Sequence, residues 1–381
     1  MKLFGLHLIW RKPRSADVVI YDRVGAEFIR RCLDGIDSWQ IMDVRDTLYV
    51  HPRVLFLSIY FYLKRWHSKY QYLKTARPKL LIEKAVIRLI QPKVVITFGE
   101  NSERFGILSR LCPSELFLGV QNGLRGPKVS DIHFRLHLTN CLCFGQDTVD
   151  KYEKSGQSIG KFHIIGSLKT GLFDIQESST DSSKFDICFI SQYRPARFDR
   201  SLPLLRKITE ITLNYIIRYS REREQNYCIA GSCKENNFVA EYKLYKEIAG
   251  IDKIMFFPND DSGLSSYKLI ERSQITITNH STIGFETLSR GKKVLFFNPT
   301  DDEYFDVPQR GSHEIWRLAG AGVSYAEFAE RLDKIFEIED IVWRELSQEY
   351  ASYFVTYGIQ ENPVSIINGM VSECLVKSTN K

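Results

Sequence analysis

The residues best suited to chemistry lie in one short stretch at positions 278–297, TNHSTIGFETLSRGKKVLFF. An apolar, β-branched run leads into a turn of small polar residues, which a short helical pattern and a second apolar run follow. This order predicts a strand, a turn, a helix and a strand, which together form one βαβ unit. Backbone N–H groups and the positive end of the helix dipole meet at such a turn, so we expect it to bind phosphate.

Five residues of this stretch have types that suit a nucleotide. Ser281 and Thr282 would add hydroxyl donors, and Gly284 would let a ligand approach the backbone. Glu286 would accept hydrogen bonds from ribose hydroxyls, and His280 would contact a monophosphate or diphosphate. An ordinary helix N-cap at Ser281 or Thr282, with no ligand, explains the same pattern.

Length and composition restrict the class of protein. With 381 residues the chain is too long for one compact core and suits two domains. A hydrophobic content of 44% and a charged content of 26% are ordinary for a globular protein in water. The net charge of +6 fits an anionic ligand or an anionic membrane surface, and it is too small to indicate nucleic-acid binding without a concentrated patch.

The cysteines and the apolar runs indicate the compartment. None of the eight cysteines belongs to a CxxC pair with a matching second pair, which predicts reduced thiols, no zinc site and no disulfide framework. The first 15 residues contain a short apolar run with no cleavage site after it, so we expect a first β-strand rather than a signal peptide. The longest apolar run, 54–63, is too short to cross a bilayer. We expect a cytoplasmic protein.

Residues 64–79, which follow that run, interleave aromatic side chains with lysines and arginines. This composition is typical of a helix that lies on an anionic membrane surface. A core helix with a solvated basic end is the simpler interpretation of the same residues. No RNA-binding or DNA-binding motif accompanies the basic residues, so we expect no nucleic-acid partner.

The rest of the chain alternates predicted strands with predicted helices, which favours parallel sheets covered by helices on both faces. Residues 175–184, IQESSTDSSK, form the best candidate for a linker. We therefore predict an α/β protein with two Rossmann-like domains that face each other across a cleft. Their predicted limits are 1–174 and 185–345, with a C-terminal helical segment, 346–381, that packs back on the first domain.

In sheets of this kind, ligands bind beyond the carboxyl ends of the strands. Polar residues that follow predicted strands supply three further groups of candidates. Arginines suited to bind anions are Arg125 and Arg194. Amides suited to sugar hydroxyls are Gln121, Asn122 and Gln192. Carboxylates suited to act as acid, base or nucleophile are Glu100, Asp260 and Asp261. Surface salt bridges explain the arginines equally well, and turns explain Asn122-Gly123 and Asp260-Asp261.

Several well-known motifs do not occur in the sequence. It contains no P-loop, no HExxH and no complete GxGxxG. Their absence argues against P-loop kinases, zinc peptidases and ordinary dinucleotide-dependent dehydrogenases.

Four segments together resemble the two-domain glycosyltransferases of the GT-B fold, and in particular bacterial proteins of surface-carbohydrate synthesis. The segments are STIGFETLSRGKKVLFFNP, ITFGENSERFGILSRL with the later VQNGLRG, IGSLKTG and FISQYR. They span residues 94–299. Proteins with a similar donor segment include CMP-Kdo-dependent transferases of capsule and O-antigen synthesis, CDP-polyol phosphotransferases and UDP-GlcNAc 2-epimerases.

The resemblance implies a nucleotide-sugar donor in the C-terminal domain and an acceptor in the N-terminal domain. By position, Ser281, Thr282 and Gly284 would hold phosphate and Glu286 would hold the ribose. Asn279-His280 stands where some relatives have an acidic or His-Pro pair, so the nucleotide stays open.

We expect a metal-independent glycosyltransferase with no cofactor. It would move a sugar from a nucleotide-sugar, with a CMP-Kdo-like donor as one form, to a polysaccharide or lipopolysaccharide acceptor at the cytoplasmic face of the membrane. Arg194 and His280 would stabilise the leaving phosphate, and Glu100, Asp260 or Asp261 would deprotonate the acceptor or act as nucleophile. The alternatives are a CDP-polyol phosphotransferase, an epimerase of a free sugar nucleotide, and a non-catalytic assembly subunit.

Overall fold

The structure is a computed structural model of the chain. It describes residues 2–3, 6–64, 77–126, 136–176, 184–193, 203–234, 238–250, 254–311, 314–358 and 361–379. Internal contacts divide the chain into two compact units. Unit 1 comprises Met1–Leu124, Val129–Leu172 and Ile359–Lys381, and unit 2 comprises Arg125–Lys128 and Phe173–Gly358. The domain limits expected from the sequence stay predictions.

Unit 1 is built on parallel strands. Its described strands are β1 (Lys2–Leu3), β2 (Leu6–Ile9), β3 (Val18–Ile20), β4 (Trp39–Ile41), β5 (Thr47–Tyr49), β6 (Val94–Phe98), β7 (Leu116–Val120), β8 (His137–Cys143) and β9 (Ser158–Ile164). Within the described residues, a parallel sheet has the order β4-β3-β6-β7-β8-β9, and β1-β2-β5 form a separate small sheet. Every residue of β6 is buried, as expected for a central strand covered on both faces.

The helices of unit 1 connect these strands. They are α1 (Ala26–Arg30), α2 (Pro52–Lys64), α3 (Pro78–Ile90), α4 (Glu103–Leu111), α5 (Gln146–Lys154) and α13 (Pro363–Thr379), while α6 (Leu168–Gln176) leads into unit 2. Local sequence explains their ends. Ser102 caps α4 by accepting a hydrogen bond from the N–H of Phe105, and α3 ends at Gln91 in the left-handed conformation. The amide of Asn368 on α13 donates to the carbonyls of Cys32 and Asp34 and holds this helix on unit 1.

Unit 2 repeats the arrangement. Its described strands are β10 (Phe185–Ile190), β11 (Tyr227–Lys234), β12 (Phe256–Asn259), β13 (Ser273–Thr278), β14 (Lys293–Asn298) and β15 (Arg317–Ala319). Its described helices are α7 (Pro203–Glu222), α8 (Val239–Ala249), α9 (Ser265–Glu271), α10 (Thr282–Ser289), α11 (Tyr325–Glu337) and α12 (Asp340–Phe354), with a 3₁₀ turn at Glu303–Phe305. The predicted α/β class is confirmed.

The strand order of unit 2 decides which loops are neighbours. The described strands form a parallel sheet in the order β12-β11-β10-β13-β14-β15. Because β10 and β13 are adjacent and parallel, the loops after Ile190 and Thr278 lie side by side at the carboxyl edge. The loop after Asn259 follows the edge strand β12 and is separated from the turn after β13 by two strands.

Candidate functional site

The turn between β13 and α10 forms the centre of the candidate site. The predicted strand, turn, helix and strand are observed as β13, residues 279–281, α10 and β14. Ser281 occupies the N-cap position in extended conformation, and its side chain makes no capping hydrogen bond. Its carbonyl accepts the N–H of Gly284 at 2.9 Å. The first turn of α10 is thus formed without the Ser281 hydroxyl.

Buried hydrogen bonds hold this turn in place. The amide nitrogen of Asn279 donates to Thr212 Oγ1 on α7 at 3.1 Å and to the carbonyl of Phe297 on β14 at 2.8 Å. The N–H of Ser281 donates to Thr278 Oγ1 at 3.4 Å. Asn279 is buried, so its role is to fix the backbone on which His280 and Ser281 stand.

Two residues that the sequence selected separately meet at this turn. The N–H of His280 donates to Gln192 Oε1 at 3.4 Å, because the loops after β10 and β13 are neighbours. The His280 ring lies 5.2 Å from the Phe305 ring and 5.5 Å from the Tyr304 ring. These contacts orient the imidazole at the carboxyl edge of the sheet. Arg194, the predicted partner of His280, lies outside the described residues.

Gly284 has a role in packing, and its predicted contact with a ligand stays a prediction. A Cβ atom on this residue would lie 2.5 Å from Phe296 Cε1 and 2.7 Å from Thr278 Cγ2. The missing side chain therefore faces the sheet, and it permits α10 to pack closely on β13 and β14. The close approach that requires glycine here is that of helix to strand.

Glu286 is buried beneath the helix rather than displayed on it. It is 3% exposed, and its Oε2 accepts a hydrogen bond of 2.6 Å from the hydroxyl of Tyr267 on α9. This contact ties α10 to α9 and fixes the orientation of the carboxylate. The ribose-binding role of Glu286 stays a prediction. Thr282 is half-buried at the first position of α10, and its phosphate-binding role also stays a prediction.

A carboxylate that sequence analysis did not select organises the neighbouring loops. Glu241 on α8 is fully buried and accepts the N–H groups of Ser232 and Cys233 at 2.8 Å and 2.7 Å, and it also bonds the Ser191 hydroxyl. Tyr245 donates to the same hydroxyl at 2.7 Å. Glu241 thereby fixes the carboxyl ends of β10 and β11. In the sequence it looks like any acidic residue in the first turn of a helix.

The aspartates after β12 serve their own loop. Asp260 Oδ1 accepts from the Ser262 hydroxyl at 2.5 Å and from the N–H of Gly263 at 3.1 Å. Asp261 is highly exposed and pairs with Lys234 at 3.0 Å. This local turn agrees with the alternative interpretation of Asp260-Asp261. Two strands, β11 and β10, lie between their loop and the turn at residues 279–281. Their catalytic role stays a prediction.

Glu100 and Gln121 lie in unit 1, where both are fully buried. The hydroxyl of Tyr152 donates to Glu100 Oε1 at 2.8 Å. Gln121 Oε1 accepts the N–H of Phe144 at 2.8 Å, and its nitrogen donates to the carbonyl of Gly123 at 3.0 Å. Both side chains stabilise the carboxyl edge of this sheet, and each would need a local opening to reach a substrate.

The next residues of the same loop differ in exposure. Asn122 is exposed, and its amide nitrogen donates to the carbonyl of Phe98 at 3.4 Å. Arg125 is half-buried and is assigned to unit 2. Their predicted contacts with an acceptor or with an anion stay predictions.

One aspartate of unit 1 has an unusual backbone that no sequence pattern indicated. Asp43, just after β4, has a φ of 50°, which a non-glycine residue adopts at a cost of about 1 kcal/mol or more. Its Oδ2 lies 3.3 Å from the guanidinium of Arg23. Burial raises the pKa of this carboxyl, although Arg23 lowers it. Asp43 is thus a carboxylate on a strained backbone at the carboxyl edge of the sheet in unit 1.

Taken together, the residues around 279–284 can bind an anion. The start of α10 directs backbone N–H groups toward the turn, and the helix dipole adds partial positive charge there. The Ser281 hydroxyl and the oriented His280 ring stand at the same place. This set matches the oxygen atoms of a phosphate or diphosphate.

Solved structures share the fold along nearly the whole chain. The S. aureus MnaA–UDP structure is 13% identical with a TM-score of 0.53, covering 95% of this chain and 96% of that one. A glycosyltransferase from Rickettsia africae is 14% identical with a TM-score of 0.51, covering 96% and 99%. A variant of the wall teichoic acid polymerase TagF is 10% identical with a TM-score of 0.56, covering 97% and 91%. The predicted GT-B type of fold is confirmed.

Comparison with curated proteins finds no match. A family model described as "putative O-antigen biosynthesis protein" matches residues 118–367, which include the turn between β13 and α10. This match covers more than half of the chain. The protein therefore belongs to this family of O-antigen biosynthesis proteins.

Proposed function

We propose that the protein is a glycosyltransferase that moves a sugar from a nucleotide-activated donor to a surface-polysaccharide or lipopolysaccharide acceptor. The observation that carries the proposal is the turn at residues 279–281, where a helix N-terminus, the Ser281 hydroxyl and the His280 ring stand together at the carboxyl edge of a parallel sheet. Membership of an O-antigen biosynthesis family and a fold shared with a UDP-bound protein support it.

In this proposal, the turn binds the phosphates of the donor. The N–H groups of α10 and the hydroxyls of Ser281 and Thr282 hold the phosphate oxygens, and His280 faces the charge that develops as the nucleotide leaves. Glu286, oriented by Tyr267, accepts from the ribose. A CMP-linked sugar such as CMP-Kdo is the donor that we propose. No metal is required, because these groups neutralise the leaving phosphate.

The acceptor hydroxyl needs a base, and we propose that a carboxylate supplies it. Glu100, Asp260 and Asp261 keep this role as proposals, and replacing each by its amide separates them. The variant in which the true base is replaced is expected to have a kcat lower by about 10²-fold or more. Its affinity for the donor should stay unchanged. We place the reaction at the cytoplasmic face of the membrane, where activated sugars meet lipid-linked acceptors.

A second candidate function is transfer of a polyol phosphate from a CDP donor. The shared fold with the TagF polymerase favours it. Product analysis distinguishes the two reactions. Both release CMP, but polyol-phosphate transfer leaves phosphorus in the product, whereas a CMP-sugar donor leaves none. An epimerase would convert its sugar nucleotide with no acceptor present, and an assembly subunit would turn over none of these donors.

Ser281→Ala tests directly whether the turn at residues 279–281 binds phosphate. Because the Ser281 side chain makes no capping hydrogen bond, the free energy of unfolding is expected to change by less than about 0.5 kcal/mol. Loss of one hydrogen bond to a charged phosphate should weaken nucleotide binding by about tenfold or more. UDP, CMP and CDP are tested at millimolar concentration by thermal shift, and the one that stabilises the protein is used for titration calorimetry.

Ser324→Ala is the matched control. Ser324 caps α11 in a complete capping box with Glu327, so the same substitution should cost about 1 kcal/mol of stability and leave nucleotide affinity unchanged. The two variants therefore have opposite expected profiles. If none of the three nucleotides raises the melting temperature, or if Ser281→Ala binds as tightly as the wild type, the proposed donor site is wrong.

A further inference from the structure

Helix α2 of unit 1 has apolar residues on two faces. Val54 is buried, and Leu57 and Phe61 pack against the core of unit 1. The other face is exposed to solvent. Five of the exposed large apolar residues of α2, with their exposed fractions, are Leu55 at 40%, Phe56 at 72%, Ile59 at 60%, Tyr60 at 47% and Leu63 at 61%.

The spacing of these exposed residues places them in one stripe. Residues 55, 59 and 63 are four apart, as are 56 and 60, so all five lie along one side of the helix. A surface helix of a globular protein normally turns charged or polar residues to water on this side. A contiguous apolar stripe that is open to solvent marks a surface that another phase or another molecule covers.

The charge of the surrounding chain indicates what covers it. Residues 47–82 contain seven lysines and arginines and no aspartate or glutamate. Arg53 and Lys64, at the two ends of α2, are both exposed. Exposed apolar and aromatic side chains flanked by cations alone complement a surface of apolar chains beneath anionic headgroups. None of the helices in the described part of the chain is long and apolar enough to cross a membrane, so α2 would lie on the surface.

We propose that α2 docks the protein onto an anionic lipid bilayer by inserting Phe56, Ile59 and Leu63 at the headgroup boundary. Arg53 and Lys64 contact the headgroups on either side. Residues 65–76 continue the basic sequence and lie outside the described residues. This inference stands apart from the proposed transfer reaction, because it rests on unit 1 alone and requires no nucleotide.

Vesicle flotation tests the proposal with the full chain. Vesicles of phosphatidylcholine with about one-third phosphatidylglycerol should bind the wild type, and vesicles of phosphatidylcholine alone should bind at least tenfold less. Phe56→Glu/Ile59→Glu should lower the partition coefficient on anionic vesicles by at least tenfold. The matched control, Ile341→Glu/Leu346→Glu on α12, replaces residues that are 58% and 52% exposed and should bind as the wild type does.

Further measurements keep each outcome decisive. Arg53→Glu/Lys64→Glu leaves the apolar stripe intact and should also reduce binding to anionic vesicles, so it serves if the first variant unfolds. Equal binding of both α2 variants and the wild type overturns the proposal, as does binding with no preference for anionic lipid. If Phe56→Glu/Ile59→Glu instead converts a dimer to a monomer in solution and vesicle binding is absent, a second copy of the chain covers the stripe. Failure here leaves the nucleotide test unaffected.

Discussion

Arg290→Met is expected to destabilise unit 2 by about 3 kcal/mol, because it removes a buried guanidinium from the half-buried carboxylate of Asp174 and leaves Glu271 paired with Lys292. The Arg290 side chain is 7% exposed, and its guanidinium lies 2.5 Å from Glu271 Oε1 and 3.4 Å from Asp174 Oδ1. It also packs over the ring of Phe173. Calorimetry of the full chain should show that the unfolding transition of unit 2 moves to lower temperature in the variant.

Arg223→Met is the matched control for this prediction. Arg223 forms an ion pair of 2.7 Å with Asp333, but its side chain is 48% exposed. Water screens such a pair, so its loss should lower the stability far less than the loss of Arg290 does. If the two variants lose equal stability, burial does not give the Arg290 pairs their importance and the prediction is wrong.

The effect of Arg290→Met should depend on pH. Burial raises the pKa of Asp174, although Arg290 lowers it, so removing the guanidinium moves that pKa further above its value in the unfolded chain. A carboxyl whose folded-state pKa is raised contributes stability below its unfolded pKa, and this contribution is lost as the pH rises through the folded pKa. The stability difference between variant and wild type should therefore be largest near neutral pH and should shrink as the pH falls toward about 4.

Gly284→Ala is expected to destabilise the protein by about 1–3 kcal/mol and to weaken nucleotide binding by at least tenfold. Its new methyl group would lie 2.5 Å from Phe296 Cε1 and 2.7 Å from Thr278 Cγ2, so the start of α10 must move away from the sheet. The N–H groups that we propose to hold phosphate move with it. Urea unfolding and calorimetric titration measure the two effects separately.

Gly369→Ala provides the control for a glycine in a helix. A methyl group at Gly369 on α13 would meet no atom within 4 Å. Alanine is the better helix former, so this variant should gain about 0.5–1 kcal/mol and bind nucleotide as the wild type does. Unchanged nucleotide affinity in Gly284→Ala would show that the position of α10 does not matter for binding.

The turn at residues 279–281 illustrates how far local sequence can predict structure. The β-branched run before Thr278, the small residues after it and the apolar run of β14 have short-range periodicities, so their secondary structure follows from the sequence alone. The hydrogen-bond partners of the polar residues do not follow from the local sequence. Gln121 and Asp260 follow predicted strands as good ligands do, yet Gln121 bonds to Phe144 and Asp260 to Ser262.

The sequence by itself determined the alternation of strands and helices and the position of the turn at 279–281, because each depends on residues a few positions apart. The alternation in turn favours parallel sheets. Only the tertiary structure decided that His280 meets Gln192, that Glu241 fixes two strand ends and that Gly284 faces Phe296. These contacts join residues 8 to 88 positions apart in the chain, so strand order and packing, rather than local pattern, select them.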